Sequence, residues 1–322
     1  MIKGLYNMAK IEATETEWLW YPYIPYGKIT IIQGDPGEGK TTLALNIAAA
    51  LTDGRTITGE RKDPLTGNEL YPNGVLLQTA EDGLSDTIKP RLIAAGADCG
   101  YINGVDETEY PLTITDGRLD EALRLTNARL IILDPLQAYL GDVDMHRANE
   151  IRPVMAYLSN MAEQFGCAVI LIGHMNKNMG AKAAYRGLGS IDLTAAARSV
   201  LLVARDKNDP DRRIVMQIKN SLAREGKPVA FRLGENNSFT FEGECEADPD
   251  RMLMGIAPER TRQSELARQF LMSELGSGEA KPIQALTAKA DGIGVSYDTL
   301  RKIKRTLPIK AFKKDQMWYW QM

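Results

Sequence analysis

The run Gly34-Asp35-Pro36-Gly37-Glu38-Gly39-Lys40-Thr41 constrains this chain more than any other stretch, because it meets G-x-x-x-x-G-K-[ST] at every fixed position. Ile29 to Ile32 precede it as a short apolar run, and Thr42 to Leu51 follow as an Ala- and Leu-rich segment suited to a buried helix. Strand, glycine loop and helix in that order form a cradle for phosphate. The glycines let backbone N–H groups curl around phosphate oxygens, and the helix N-terminus adds a partial positive charge. On this reading Gly34, Asp35, Pro36, Gly37, Glu38, Gly39, Lys40, Thr41 and Thr42 hold a nucleotide. Lys40 bridges the outer phosphates and the Thr41 hydroxyl ligates Mg2+. The plain alternative is a Gly/Pro turn ahead of an ordinary helix.

Further apolar runs closed by a polar residue predict strands whose carboxyl ends carry chemistry. Val75 to Ala80 ends at Glu81-Asp82, which places Glu81 either as a general base that orients water or as a helix-capping acid. Leu130-Ile-Ile-Leu-Asp134 fits a Walker B strand, with Asp134 supporting the metal. Cys167 to Gly173 is a fully apolar strand ending in His174, one of only two histidines in the chain. That imidazole either senses the γ-phosphate by hydrogen bonding or caps a loop. Asn176-Lys177-Asn178-Met179 is close to the guanine-reading N-K-x-D, but Met179 stands where the carboxylate is needed, which favours ATP. The stretch from Asn176 to Ser190 reads as a flexible loop whose Lys177, Lys182 and Arg186 either track a phosphate backbone or are simply solvated.

At 322 residues the chain has room for one large core and a small second unit. The aromatic, proline-containing lead-in (Trp18 to Pro25) excludes a regular helix there. Thr52 to Asn73 reads as a surface loop, and helices are expected over 88–97, 117–127, 150–166 and 191–198. Strands are expected over 200–203, 213–218 and 229–233. Residues 244–258, acidic and then Pro- and Gly-punctuated, read as a linker. Beyond them three helical segments and a two-strand pattern describe a winged helix. Ser296 to Arg305 turns Leu300 and Ile303 inward and Arg301, Lys302, Lys304 and Arg305 mostly outward, a helix fit for a major groove or for a protein partner.

The net charge of -3 conceals an asymmetry: residues 258–322 hold 12 Lys and Arg against 7 Asp and Glu, a surplus of +5 that leaves −8 elsewhere. A basic end points to nucleic acid. No stretch approaches the roughly 20 apolar residues that span a bilayer, and the N-terminus lacks signal-peptide character, so a cytoplasmic protein without a membrane partner is expected. The three cysteines, Cys99, Cys167 and Cys245, make no zinc or redox spacing.

Taken together, Gly34–Thr41, Ala80-Glu81-Asp82, Leu130–Asp134, Gly173-His174 with Lys177, Arg186-Gly187, and Ala196-Ala-Arg198 resemble the RecA-type P-loop ATPases. Within them they resemble the branch of RepA-type hexameric replicative helicases of plasmids and phages. The resemblance spans about residues 18–235. It implies an α/β RecA-like core with a mostly parallel sheet, and the tail resembles the winged helix appended to many phage ATPases. The implied domains are a lead-in over 1–25, an ATPase over 26–243, a linker over 244–258 and a winged helix over 259–322. Implied roles are Lys40 and Thr41 on phosphate and Mg2+, Glu81 activating water, Asp134 on the metal and His174 sensing the γ-phosphate. Arg198 matches the arginine finger that reaches a neighbouring subunit's ATP, and Lys219 resembles a second trans cation. The implied partners are single-stranded DNA in a homohexameric ring and duplex DNA on the winged helix. The chain departs from the plasmid helicases in lacking a second histidine beside His174 and in having Lys219-Asn-Ser where many relatives carry a further arginine.

Overall fold

The computed structural model describes residues 6–174, 191–249, 252, 259–314 and 317–322. The loop expected over 176–190, with Lys177, Lys182 and Arg186, lies outside the described residues, as does most of the expected linker from 250 on. The chain divides into two compact units, residues 1–254 and 255–322.

In the larger unit a short hairpin, β1 (Trp18–Trp20) and β2 (Ile24–Pro25), leads into β3 (Ile29–Gly34), and α1 (Lys40–Thr52) follows the glycine loop. Next come β4 (Val75–Thr79), α2 (Lys89–Ala94), β5 (Ile102–Asn103), α3 (Gly117–Thr126), β6 (Leu130–Asp134), α4 (Ala148–Phe165) and β7 (Ala168–His174). The remainder is α5 (Ile191–Ala196), β8 (Ser199–Asp206), β9 (Asp209–Asn220), β10 (Val229–Leu233) and β11 (Phe239–Glu244). One nine-stranded sheet orders them β11-β10-β9-β8-β3-β7-β6-β4-β5. Strands β3 to β8 are parallel, and β9 to β11 extend the sheet antiparallel.

The apolar runs are buried on both faces, as parallel strands under helices must be. Their two-residue period splits each run between two cores. Ile29, Ile31, Ile131, Leu133, Val169 and Leu171 pack with α3, α4 and α5. Ile32, Leu130, Ile132, Ala168, Ile170 and Ile172 pack with α1 and α2. The α/β architecture with a mostly parallel sheet is thus the one the sequence implies. It places β3 between β7 and β8, so the loop after β3 opens at the centre of the sheet's carboxyl edge.

Two local differences have physical causes. The helix expected over 88–97 becomes a wide turn over Leu84–Ile88 and then α2, because Pro90 is tolerated only in a first turn and Gly96, at φ +78°, stops the chain. Strand β11 fills a segment with no assigned element; its burial alternates between half-buried and exposed, the weak pattern of a sheet edge.

The smaller unit contains α6 (Glu259–Leu275), β12 (Lys281–Pro282), α7 (Ile283–Asp291), α8 (Tyr297–Lys304), β13 (Lys310–Lys314) and β14 (Met317–Gln321). Its three strands order β12-β14-β13, all antiparallel, over a core that includes Leu271, Leu286, Leu300 and Trp320. Ser296 caps α8 by accepting from the Thr299 N–H. Arg301, Lys302 and Arg305 are exposed, but Lys304 folds back with its ammonium 5.5 Å from the centre of the Trp320 ring, so the basic face is narrower than the spacing implies. No helix among the described residues is long and apolar enough to cross a membrane.

Candidate nucleotide site

Register alone brings the site residues to one edge. Gly34 pairs with His174 across β3 and β7, and Thr79 pairs with Asp134 across β4 and β6. The chain leaving β4 is pinned there, since the Ala80 N–H donates to the Asp134 carbonyl at 3.0 Å and sets Glu81 above the sheet. Gly34 has no room for a side chain: a Cβ would lie 2.2 Å from the Val203 carbonyl oxygen on β8. Gly39, at φ +86°, turns the loop into α1 in the left-handed region that favours glycine.

Around this edge the polar side chains converge. The Lys40 ammonium donates to the Asp35 carbonyl at 2.9 Å and lies 3.4 Å from His174 Nδ1. His174 Nε2 lies 3.6 Å from Glu81 Oε1. The Thr41 hydroxyl donates to Asp134 Oδ2 at 2.6 Å. Lys40 and Asp134 are 5% and 7% exposed, while the Glu81 and His174 side chains, at 59% and 37%, are open to solvent. The arrangement is therefore a buried floor of one cation and one acid beneath an accessible carboxylate and imidazole.

Burial pushes the Lys40 ammonium below the usual lysine range, opposed by the charges of Asp134, Glu38, Asp35 and Glu81. Burial likewise raises the Asp134 carboxyl, with the Thr41 hydrogen bond pulling the other way and Glu81 adding to the rise. Both charged forms are held in a medium that disfavours them, which is the state that a polyanion and a divalent cation would relieve. Of the adjacent acids after β4, only Glu81 turns to the site. Asp82 pairs with Arg91 of α2 at 2.7 Å.

Arg198 lies elsewhere. Its backbone N–H donates to the Ile29 carbonyl at 2.9 Å, at the start of β3, whereas Lys40 follows that strand's end. Five strand residues separate the two levels, about 16 Å, and the Arg198 side chain is exposed. Lys219 occupies the same amino edge, but its ammonium donates to the carbonyls of Thr194 (2.7 Å), Ala195 (3.0 Å) and Ala197 (2.8 Å), closing the end of α5. Burial, and then the Arg198 charge, lower its pKa.

One residue at the loop escapes the sequence reading. Arg205, near the carboxyl end of β8, donates from Nη2 to the Gly37 carbonyl at 3.3 Å. It follows the apolar run Val200–Val203 just as Asp134 and His174 follow theirs, and that position was its only signal. A cavity of 690 Å3 lies instead beside β4 and β5, lined by Leu77, Ile88, Leu92, Ile102 and Glu107; none of the converging side chains lines it. Convergent chemistry, not volume, marks the candidate site.

A family whose members are described as an AAA domain matches residues 7–180, more than half of the chain and the whole of the loop, Glu81, Asp134 and His174. The chain belongs to the AAA domain family. Among curated proteins, this AAA domain is similar to the DNA repair protein RadA of Mycolicibacterium smegmatis, 25% identical over 239 residues that cover 72% of this chain and 44% of the relative. RadA of Mycobacterium tuberculosis (strain H37Rv) is 26% identical over 65% of this chain and 38% of its own length. RadA of Bacillus subtilis is 24% identical over 47% of this chain and 28% of its own length. The chain thus aligns with less than half the length of these relatives. Among solved structures, it is similar to the KaiC-like protein PH0186 of Pyrococcus horikoshii, at 19% identity and a TM-score of 0.47 over 68% of this chain and 93% of that one.

Proposed function

We propose that this chain is a Mg·ATP-hydrolysing, DNA-dependent ATPase that works as a ring, in the manner of a phage or plasmid replicative helicase or translocase. The observation that carries the reading is the meeting of Lys40, Thr41, Asp134, His174 and Glu81 at the carboxyl edge of one sheet. The glycine loop and Lys40 bind the phosphates. The donor set fits Mg2+, because Thr41 and Asp134 already share a 2.6 Å hydrogen bond and offer one hydroxyl and one carboxylate, leaving the other positions to phosphate and water. Thr41 and Asp134 would hold the ion, which would supply positive charge against the negative charge that develops on the transferred phosphoryl group. Glu81, accessible and next to His174, orients and accepts a proton from the attacking water. His174 touches both Lys40 and Glu81, so it is placed to report the state of the terminal phosphate to the base.

Arg198, at the opposite edge, acts on a neighbouring copy and not on its own loop. That is the reason for proposing a ring, and six subunits is the number we propose. The name of the RadA relatives, DNA repair proteins, supports DNA as the polymer. The order helix, strand, two helices and hairpin in residues 259–321 supports a winged helix that holds duplex DNA through α8.

ATP turnover with and without single-stranded DNA, together with strand displacement on a forked duplex, tests this. Turnover that DNA stimulates and that Lys40→Ala abolishes, with unwinding, is the expected result. A chain that takes up no Mg·ATP would overturn it. The exposed basic residues of α8 favour a second reading, an ATP-switched DNA-binding scaffold such as a helicase loader or regulator. Under that reading the same assays give DNA binding and ATP turnover but leave the fork intact.

A further inference from the structure

The hairpin of β13 and β14 exposes side chains that stability alone does not call for. Pairing sets Lys310 opposite Gln321, Phe312 opposite Tyr319, Lys313 opposite Trp318 and Lys314 opposite Met317. Every residue of β13 is exposed. On β14, Trp320 enters the core with Leu286 and Leu300, while Trp318, two residues nearer the turn on the same face, lies beyond that core and is 54% exposed. On the other face Phe312 and Tyr319 stack with centroids 5.9 Å apart and planes 15° from parallel, and Phe312 and Met317 remain open to solvent.

Lysines on β13 by themselves would be explained as protection of an edge strand against pairing with other chains. Exposed aromatics have the opposite effect, since they invite association. Flat π-faces interleaved with Lys310, Lys313 and Lys314, against the single acid Asp315, instead match a polymer that carries stackable rings on an anionic backbone.

We infer that this hairpin is a stacking platform for unpaired nucleic-acid bases, with Trp318 as the stacking face and with Lys313, its cross-strand partner on the same face, and Lys314 beside the turn on the phosphates. The inference rests on the reading above only for the nature of the polymer, and it gives the smaller unit a single-strand function separate from any duplex held by α8. The partner is single-stranded DNA; duplex DNA and other acidic surfaces offer no unstacked ring.

Binding of a fluorescent 12-nucleotide oligo(dT) to the full chain tests it, in a Lys40→Ala background so that nucleotide-driven binding by the larger unit is silent. Trp318→Ala should weaken binding by about 5- to 150-fold, the range for losing one base stack. Trp318→Phe should stay within a few-fold, and melting temperature should be unchanged because the ring is exposed. An abasic oligomer of the same length should bind as weakly as the alanine variant does to oligo(dT). Lys313→Gln with Lys314→Gln should reduce the slope of log affinity against log salt by about 1.4. Equal affinity of Trp318→Ala and its parent, equal affinity for the abasic oligomer, or tighter Trp318-dependent binding of duplex would each overturn the inference. Failure of the wild-type chain to hydrolyse ATP, with the oligo(dT) results intact, would remove the ATPase reading and leave the platform standing.

Discussion

At the carboxyl edge of the central sheet, four elements bring together Lys40, Thr41, Glu81, Asp134 and His174, with His174 between Lys40 and Glu81 and with Thr41 on Asp134, and two of these charges are buried. At the amino edge of the same strands, Arg198 is exposed and its neighbour Lys219 is tied to three carbonyls. The contrast separates what one chain completes by itself from what it offers outward. In the proposed function a phosphate cradle, a metal seat and a base are assembled in cis, whereas the exposed Arg198 lies the length of a strand away from them. On the proposed reading, another copy brings its amino edge to the first copy's carboxyl edge and turnover is oligomeric.

Breaking the outward edge should have the largest effect. Arg198→Ala is expected to lower kcat by about 10³-fold or more, the scale of a lost arginine finger, with little change in ATP affinity. A loss confined to ATP affinity would place Arg198 outside the transition state. Breaking the inward edge at its base comes next: Glu81→Gln should lower turnover by about 10²- to 10⁴-fold while ATP binding, read by calorimetry, persists. Turnover that survives in Glu81→Gln would remove Glu81 from the chemistry.

Lys219 sharpens the comparison, because its geometry is that of a helix cap. Lys219→Met should destabilise the chain by about 1.5–3 kcal/mol in chemical denaturation, the scale for hydrogen bonds made by a charged group, and change kcat by less than an order of magnitude. A fall as large as that of Arg198→Ala at unchanged stability would return it to the role of a second trans cation. The smallest effect concerns Asp134. Its folded-state pKa is raised by burial, so the folded chain binds the proton more tightly than the unfolded one, and stability falls as pH rises through the folded-state value. Asp134→Asn, which keeps an acceptor for Thr41, should therefore melt higher than the parent at neutral pH in EDTA and lose that advantage at low pH. A variant that melts lower at neutral pH would show that the carboxylate is not under strain.

Much of this was legible in the sequence because buried parallel strands are continuous apolar runs, and the residue that closes each run falls at one edge. Asp134 and His174 follow from that rule, as does Arg205, whose strand simply carried no motif to draw attention to it. The strand and helix pattern around Gly34–Thr41 fixed the α/β class for the same reason. Lys219 was not legible, since its contacts with Thr194, Ala195 and Ala197 depend on how β9 registers against β8. Lys304 was not legible either: helical spacing turns it outward, and only the position of Trp320 draws it back. Glu81 was named from the sequence, but that its neighbour Asp82 pairs with Arg91, nine residues on, was not legible.

The mixed-subunit ATPase assay tests the central claim most directly. Arg198→Ala subunits keep a complete carboxyl edge, and Glu81→Gln subunits keep a working amino edge, so each supplies what the other lacks. Titrating one inactive variant into the other should restore turnover, with a maximum at intermediate ratios. No turnover at any ratio, from variants shown to co-assemble, would contradict a site completed between copies.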